Sequence, residues 1–249
     1  MAQNNERPGN HKENIDLISS DKWGFDIQAD RGSIEKNFID IKNRIAPYTP
    51  RIIGVTKYYG QNAIIEGYKA GLRDFAESRA IEAAEKIATL PPEVKENSTF
   101  HFIGHLQSNK VNRVLKIFDY IHSVDSLKLA RVISEENVSK RSIKILLQVN
   151  LSKEATKSGF QEESFQEDFS QVLKMENFQL VGLMQMLPFG ANESEQRTLF
   201  RKLRFMRDDL EQRFGVRLPE LSMGLSDDYQ IAAQEGATMI RIGRKLFKK

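Results

Sequence analysis

Lys57 ends an otherwise apolar run, Arg51-Ile-Ile-Gly-Val-Thr-Lys57. An ordinary solvated lysine at a strand end is what the residue by itself favours. The functional alternative is a lysine held partly desolvated, where burial disfavours the charged form and leaves a free amine able to attack an aldehyde. Two further segments have the makings of an anion site. Leu221-Ser-Met-Gly-Leu-Ser-Asp-Asp228 is small and hydroxyl-rich, and backbone N–H groups at such a turn can cradle a phosphate. A plain helix cap at Ser226 or Asp227, with acidic residues facing the dipole, explains it as well. The run Arg241-Ile-Gly-Arg244 carries a glycine, which lets backbone approach a ligand closely. His101, His105 and His122 raise the question of zinc. His101 lies mid-strand, no helical His-x-x-x-His pair or carboxylate triad supports a ligand set, and packed or hydrogen-bonded histidines are the expectation.

These residues need elements to position them. Short β-branched runs alternate with amphipathic segments along the chain. The runs are Arg51–Lys57, Arg73–Glu77, Phe100–Gly104, Tyr120–Val124, Ile143–Asn150, Leu180–Met186, Glu220–Gly224 and Met239–Gly243. Ile145-Leu-Leu147 is continuous apolar, as in a parallel strand buried on both faces. Between the runs, Val111, Val114, Leu115 and Phe118 follow helical spacing, as do Leu199, Leu203, Met206, Leu210 and Phe214. Asn192 with Glu195 marks the start of the second helix, and Ser126 the start of another. A further helix over about Ile34–Ile45 precedes the first strand. About eight βα units fit either a closed barrel or a doubly wound open sheet, and length and unit count favour the (β/α)8 barrel. In a closed barrel the first and eighth strands are neighbours. Lys57 then lies near the loops after strands seven and eight, the recurrent phosphate site of this architecture. An aldehyde-reactive lysine beside a phosphate site points to pyridoxal 5'-phosphate.

Composition bounds the alternatives. The 249 residues are 40% hydrophobic and 29% charged, with a formal net charge of +3. Interspersed charges of both signs are not the footprint of a dedicated nucleic-acid binder. No run reaches the length of a membrane span, and the N-terminus has no signal-peptide apolar stretch. The chain has no cysteine, which excludes disulfides, thiolate catalysis, iron–sulfur clusters and cysteine-zinc sites, and suits a reducing compartment. Residues 1–30 read as a polar leader and 31–249 as one cofactor-binding barrel domain. A cytoplasmic monomer, with no membrane or nucleic-acid partner, is the expectation.

The chain resembles the pyridoxal-phosphate homeostasis proteins, the YggS or PROSC family, whose barrel is similar to that of alanine racemase. The resemblance rests on Val55-Thr-Lys57, Phe100-His-Phe-Ile-Gly-His-Leu-Gln-Ser-Asn-Lys110, His122-Ser-Val-Asp-Ser126, Gln148-Val-Asn150, Lys157-Ser-Gly-Phe160, Gly182-Leu-Met184, Leu221–Asp228 and Gly236–Gly243, in that order. It implies an α/β fold, a single (β/α)8 TIM barrel of the alanine racemase kind with an extra N-terminal helix. It also implies that Lys57 carries the cofactor as a Schiff base. Ser222 and Gly243, with backbone near Met223 and Gly224, would hold the phosphate, and Arg241 would face the pyridine nitrogen. An arginine does not give up its proton there, so the ring is a poorer electron sink. The chain departs from the family at three places. Ser78 stands where an asparagine near the cofactor's phenolic oxygen is usual, Tyr59 where a second lysine is common, and Arg244 where a small hydroxyl residue often contacts the phosphate.

The leading expectation is a non-enzymatic carrier of pyridoxal 5'-phosphate in vitamin B6 homeostasis, with apoenzymes that use the cofactor as candidate partners. An amino-acid racemase is the alternative. It needs a second acid–base group on the face opposite Lys57, and the sequence offers only His105 for that role. A protein-interaction module with an incidental cofactor is a third reading, supported only by the basic ends of the chain.

Overall fold

Eight parallel strands close into a barrel in the computed structural model, which describes residues 30–138, 141–152 and 158–248. The strands are β1 (Arg51–Val55), β2 (Asp74–Glu77), β3 (Thr99–Phe102), β4 (Tyr120–Val124), β5 (Lys144–Asn150), β7 (Gln179–Met184), β8 (Glu220–Ser222) and β9 (Met239–Ile242). Their order is β4-β3-β2-β1-β9-β8-β7-β5, and the β4–β5 pairing closes the ring. A two-residue strand, β6 (Phe160–Gln161), adds to the end of β5. The expected leader lies outside the described residues except for Asp30, as does Lys157 of the Lys157–Phe160 segment.

Every expected strand forms, β4 with the expected bounds, β3 and β7 starting one residue earlier, and most others ending sooner. β8 stops at Ser222 rather than Gly224 because Gly224 takes a left-handed φ of +93° and turns the chain out of the sheet. Ten α-helices cover the barrel among the described residues: α1 (Arg31–Ile45), α2 (Gln61–Lys69), α3 (Ala80–Ala88), α4 (Pro92–Glu96), α5 (Val111–Leu115), α6 (Leu127–Glu136), α7 (Phe165–Val172), α8 (Glu193–Phe214), α9 (Tyr229–Gln234) and α10 (Arg244–Phe247). Two of the expected caps are present, whereas α9 starts after Asp228 rather than at Ser226 or Asp227 and has no side-chain cap bond. The Ser126 side chain accepts from the Leu129 N–H, and Asn192 and Glu195 form a reciprocal capping box. The stripe that reaches Phe118 supplies only the five-residue α5, because the chain turns after Leu115 to enter β4. None of the described helices is long and apolar enough to cross a membrane.

Period-two alternation sorts the strand residues. Ile52, Phe75, Phe100, Ile121, Ile145, Leu221 and Ile240 join the core between sheet and helices. Ile53, Val55, Ala76, Leu146, Met184 and Met239 fill the barrel itself. The inward face also carries polar residues: His101, His122, Ser222 and Arg241 are all buried. Gly182 lets β7 and β8 touch, since a Cβ there would sit 1.8 Å from the Glu220 carbonyl oxygen.

Candidate active site at the barrel mouth

Arg51, Ile53 and Val55 share the inward face of β1, and Lys57 continues that face at the C-terminal mouth, half-buried, with Nζ 5.0 Å from the centre of the Tyr58 ring. The peptide before it is firmly held. Thr56 Oγ1 donates to Glu77 Oε1 at 2.7 Å, and Lys86 of α3 donates to the same oxygen at 2.7 Å and to the Thr56 carbonyl at 2.9 Å. All three side chains are buried. The residue after next, Tyr59, is buried against Phe247 at 5.2 Å between ring centres, so it belongs to the packing beneath the mouth.

β9 lies beside β1 with Ile242 opposite Gly54. Gly243 therefore approaches Val55, and a Cβ on it would come 3.4 Å from the Val55 carbonyl. The β8–α9 loop is drawn to the same place by the Arg241 N–H, which donates to the Gly224 carbonyl at 2.9 Å. Gly224 is required twice over. Its φ is left-handed, and a Cβ would lie 2.6 Å from the Ala232 methyl. The N–H groups of Gly224, Ser226, Gly243 and Arg244 have no acceptor among the described residues. Two loops thus present free donors beside the β1 terminus that carries Lys57, an arrangement suited to an anionic group attached to an amine-reactive one.

Arg241 is buried beneath these loops. Its guanidinium donates to Ser222 Oγ and, at 3.1 Å, to the Gln185 carbonyl. Burial pushes its pKa down to about 10, a drop that the nearby Asp228 carboxylate opposes; it stays charged at neutral pH. Burial raises Asp228 itself, although the Leu225 N–H donates to its carboxylate. His122 Nδ1 lies 2.8 Å from Ser222 Oγ. Burial holds both His101 and His122 below the ordinary imidazole value.

Two of the groups expected at the phosphate have protein partners in this geometry. The Ser222 hydroxyl is fully buried and engaged by His122 and Arg241. The Met223 N–H is used by the Met239 carbonyl at 3.1 Å, and its side chain packs in the outer core. The donors left free are one to three residues further on. Arg244 spans the two loops from the solvent side, with Nη2 2.8 Å from Asp227 Oδ2 and both side chains 75% exposed. Ser78 sits half-buried after β2, with its carbonyl against Gly104, where any Cβ would clash at 2.1 Å.

The three histidines do not converge. His101 and His122 meet at 2.9 Å inside the barrel, whereas exposed His105 faces Asp125 at 3.3 Å on the mouth. Sequence reasoning passed over the Thr56–Glu77–Lys86 cluster and the His122–Ser222–Arg241 contacts. The available signal was His101 and His122 at inward strand positions, where an unpaired polar group is costly and a partner must exist.

Comparison with known proteins agrees with this architecture. A family model described as alanine racemase, N-terminal domain, matches residues 29–248. A pyridoxal phosphate homeostasis protein of Synechocystis sp. is 40% identical over 205 residues, covering 81% of this chain and 92% of the relative. One of Escherichia coli strain K12 is 31% identical, covering 86% and 95%. The solved structure of PipY of Synechococcus elongatus with PLP bound superposes with a TM-score of 0.79 at 36% identity, over 86% of this chain and 99% of that one. An alanine racemase of Clostridium difficile 630 has the same fold, with a TM-score of 0.70 at 20% identity, and this chain covers 56% of it.

Proposed function

We propose a function from the premise that this chain belongs to the pyridoxal phosphate homeostasis protein family: it binds pyridoxal 5'-phosphate at the barrel mouth and acts as a carrier of the cofactor in the cytoplasm. The observation that carries this reading is the meeting of Lys57 with two loops of free N–H donors at the neighbouring termini of β1, β8 and β9. The cofactor, when bound, supplies an aldehyde reactive toward primary amines. Lys57 supplies the amine, the N–H groups of Gly224, Ser226, Gly243 and Arg244 hold the phosphate, and Arg241 stands beside the ring nitrogen. The Cβ-free backbone at Gly224 and Gly243 fits such a group, because it brings the donors close together.

The carrier reading is favoured over a racemase by two things. The relatives are named as homeostasis proteins. A charged guanidinium at the ring nitrogen also disfavours the protonated ring that stabilises a carbanion.

The test is reduction of the protein with borohydride after incubation with pyridoxal 5'-phosphate, followed by peptide mass spectrometry. A yellow absorption band should disappear on reduction, and the adduct should map to Lys57. Lys57→Ala should remain folded and give no adduct at saturation. A dominant adduct on Lys157 or any other lysine refutes the assignment.

A further inference from the structure

An unbroken line of hydrogen bonds crosses the inside of the barrel from one mouth to the other. It starts at Asp74, the first residue of β2 and therefore at the face opposite Lys57. Asp74 Oδ1 lies 3.0 Å from His101 Nε2, His101 Nδ1 lies 2.9 Å from His122 Nε2, and His122 Nδ1 lies 2.8 Å from Ser222 Oγ. Ser222 Oγ then accepts from Arg241 Nη1. His101 is further clamped by the Tyr120 ring stacked on it at 4.6 Å.

The two ends fix the direction of every proton. A carboxylate only accepts, and a guanidinium only donates. His101 must then carry its proton on Nε2 and accept at Nδ1. His122 carries its proton on Nε2 and accepts at Nδ1, and the Ser222 hydroxyl donates to it. With both imidazoles neutral, this is the one arrangement that satisfies each group. A second positive charge on either ring would sit in the interior between Arg51 and Arg241. The Ser222 oxygen is thereby left as an acceptor facing Arg241, which fixes one corner of the guanidinium while the Gln185 carbonyl fixes the other.

We infer that Asp74, His101, His122 and Ser222 are positioning residues, a one-way relay that sets the orientation of the Arg241 guanidinium from the far end of the barrel. This rests on the proposed cofactor site for its consequence at the ring, but the orientation itself is a property of the free protein.

The test separates the two. Arg241 side-chain N–H resonances are recorded by NMR in the free protein with labelled arginine, and pyridoxal 5'-phosphate affinity and absorption maximum are recorded on the same samples. Three variants serve. His122→Leu removes the acceptor, His122→Asn keeps an oxygen near Nδ1, and Asp74→Asn changes only the partly exposed far end, four hydrogen bonds from Arg241. In His122→Leu the Arg241 resonances should move and exchange faster with solvent, the absorption maximum should shift, and affinity should fall about tenfold. His122→Asn should restore most of each. Asp74→Asn should move the same resonances in the same direction by less, and it decides the question if His122→Leu fails to fold. Arg241 resonances unchanged in every folded variant overturn the relay, whether or not the cofactor binds. Failure of the wild-type protein to bind the cofactor sinks the proposed function, while the resonances still decide the relay.

Discussion

Replacing Lys86 with methionine should destabilise the protein by about 3–5 kcal/mol, the cost of stranding one member of a buried ion pair. The structure accounts for that size. Glu77 and Lys86 meet at 2.7 Å with side chains only 3% and 7% exposed, so solvent can neither screen the pair nor replace a lost partner. Lys86→Met removes the countercharge of Glu77, and a hydrogen bond to a charged group is worth about 1.5–3 kcal/mol. It also removes the donor to the Thr56 carbonyl, worth about 1 kcal/mol more. Glu77→Gln should cost a similar amount by stranding the ammonium. The double variant leaves no charge behind, and it should recover at least half of the larger single loss. Urea unfolding of the four proteins in a double-mutant cycle gives these numbers directly. Single losses below about 1 kcal/mol, the scale of a solvated surface pair, would refute the reasoning. So would strictly additive losses. Because the cluster grips the peptide before Lys57, the single variants should also weaken attachment of pyridoxal 5'-phosphate to that lysine.

Stability should fall on mild acidification. Burial holds His101 and His122 below the ordinary histidine value, and His122 is further depressed by His101 and Arg241. The unfolded chain therefore takes up protons near pH 6.5 that the folded chain does not. Stability is full above that pH and drops below it, by about 1.4 kcal/mol between pH 7.5 and 5.5 for each histidine that stays neutral. Equal urea midpoints at the two pH values would contradict this. Gly182→Ala should cost on the order of 3 kcal/mol or prevent folding, because its Cβ meets the Glu220 backbone rather than a movable side chain; a wild-type melting temperature would show that β7 and β8 are less closely held. Asn192→Ala should remove one side of the α8 capping box and lower stability by about 1 kcal/mol, read from the same urea titration.

By itself the sequence determined the periods, and the periods determined the layers. Eight β-branched runs separated by helical stripes leave few architectures, and capping pairs such as Asn192 with Glu195 are local chemistry that needs no distant partner. The place of Lys57 at the end of an apolar run also put it at the barrel mouth, near the loops after strands seven and eight, before any contact was known. Closure was decided by tertiary structure. The β4–β5 and β1–β9 pairings together make the sheet a ring, and the second lets Gly243 meet the segment ending in Lys57. The distribution of donors in the β8–α9 turn was equally beyond local reading. Ser222 and Met223 look as suited to a phosphate as Gly224 and Ser226, since hydroxyls and N–H groups are alike in sequence. What separates them is that His122, Arg241 and Met239, 16 to 100 residues away along the chain, engage the first two and leave the others free. Glu77 and Lys86 likewise read as ordinary surface charges on a strand end and a helix. They become a buried pair because α3 lies across the end of β2, where each charge needs the other once water is excluded.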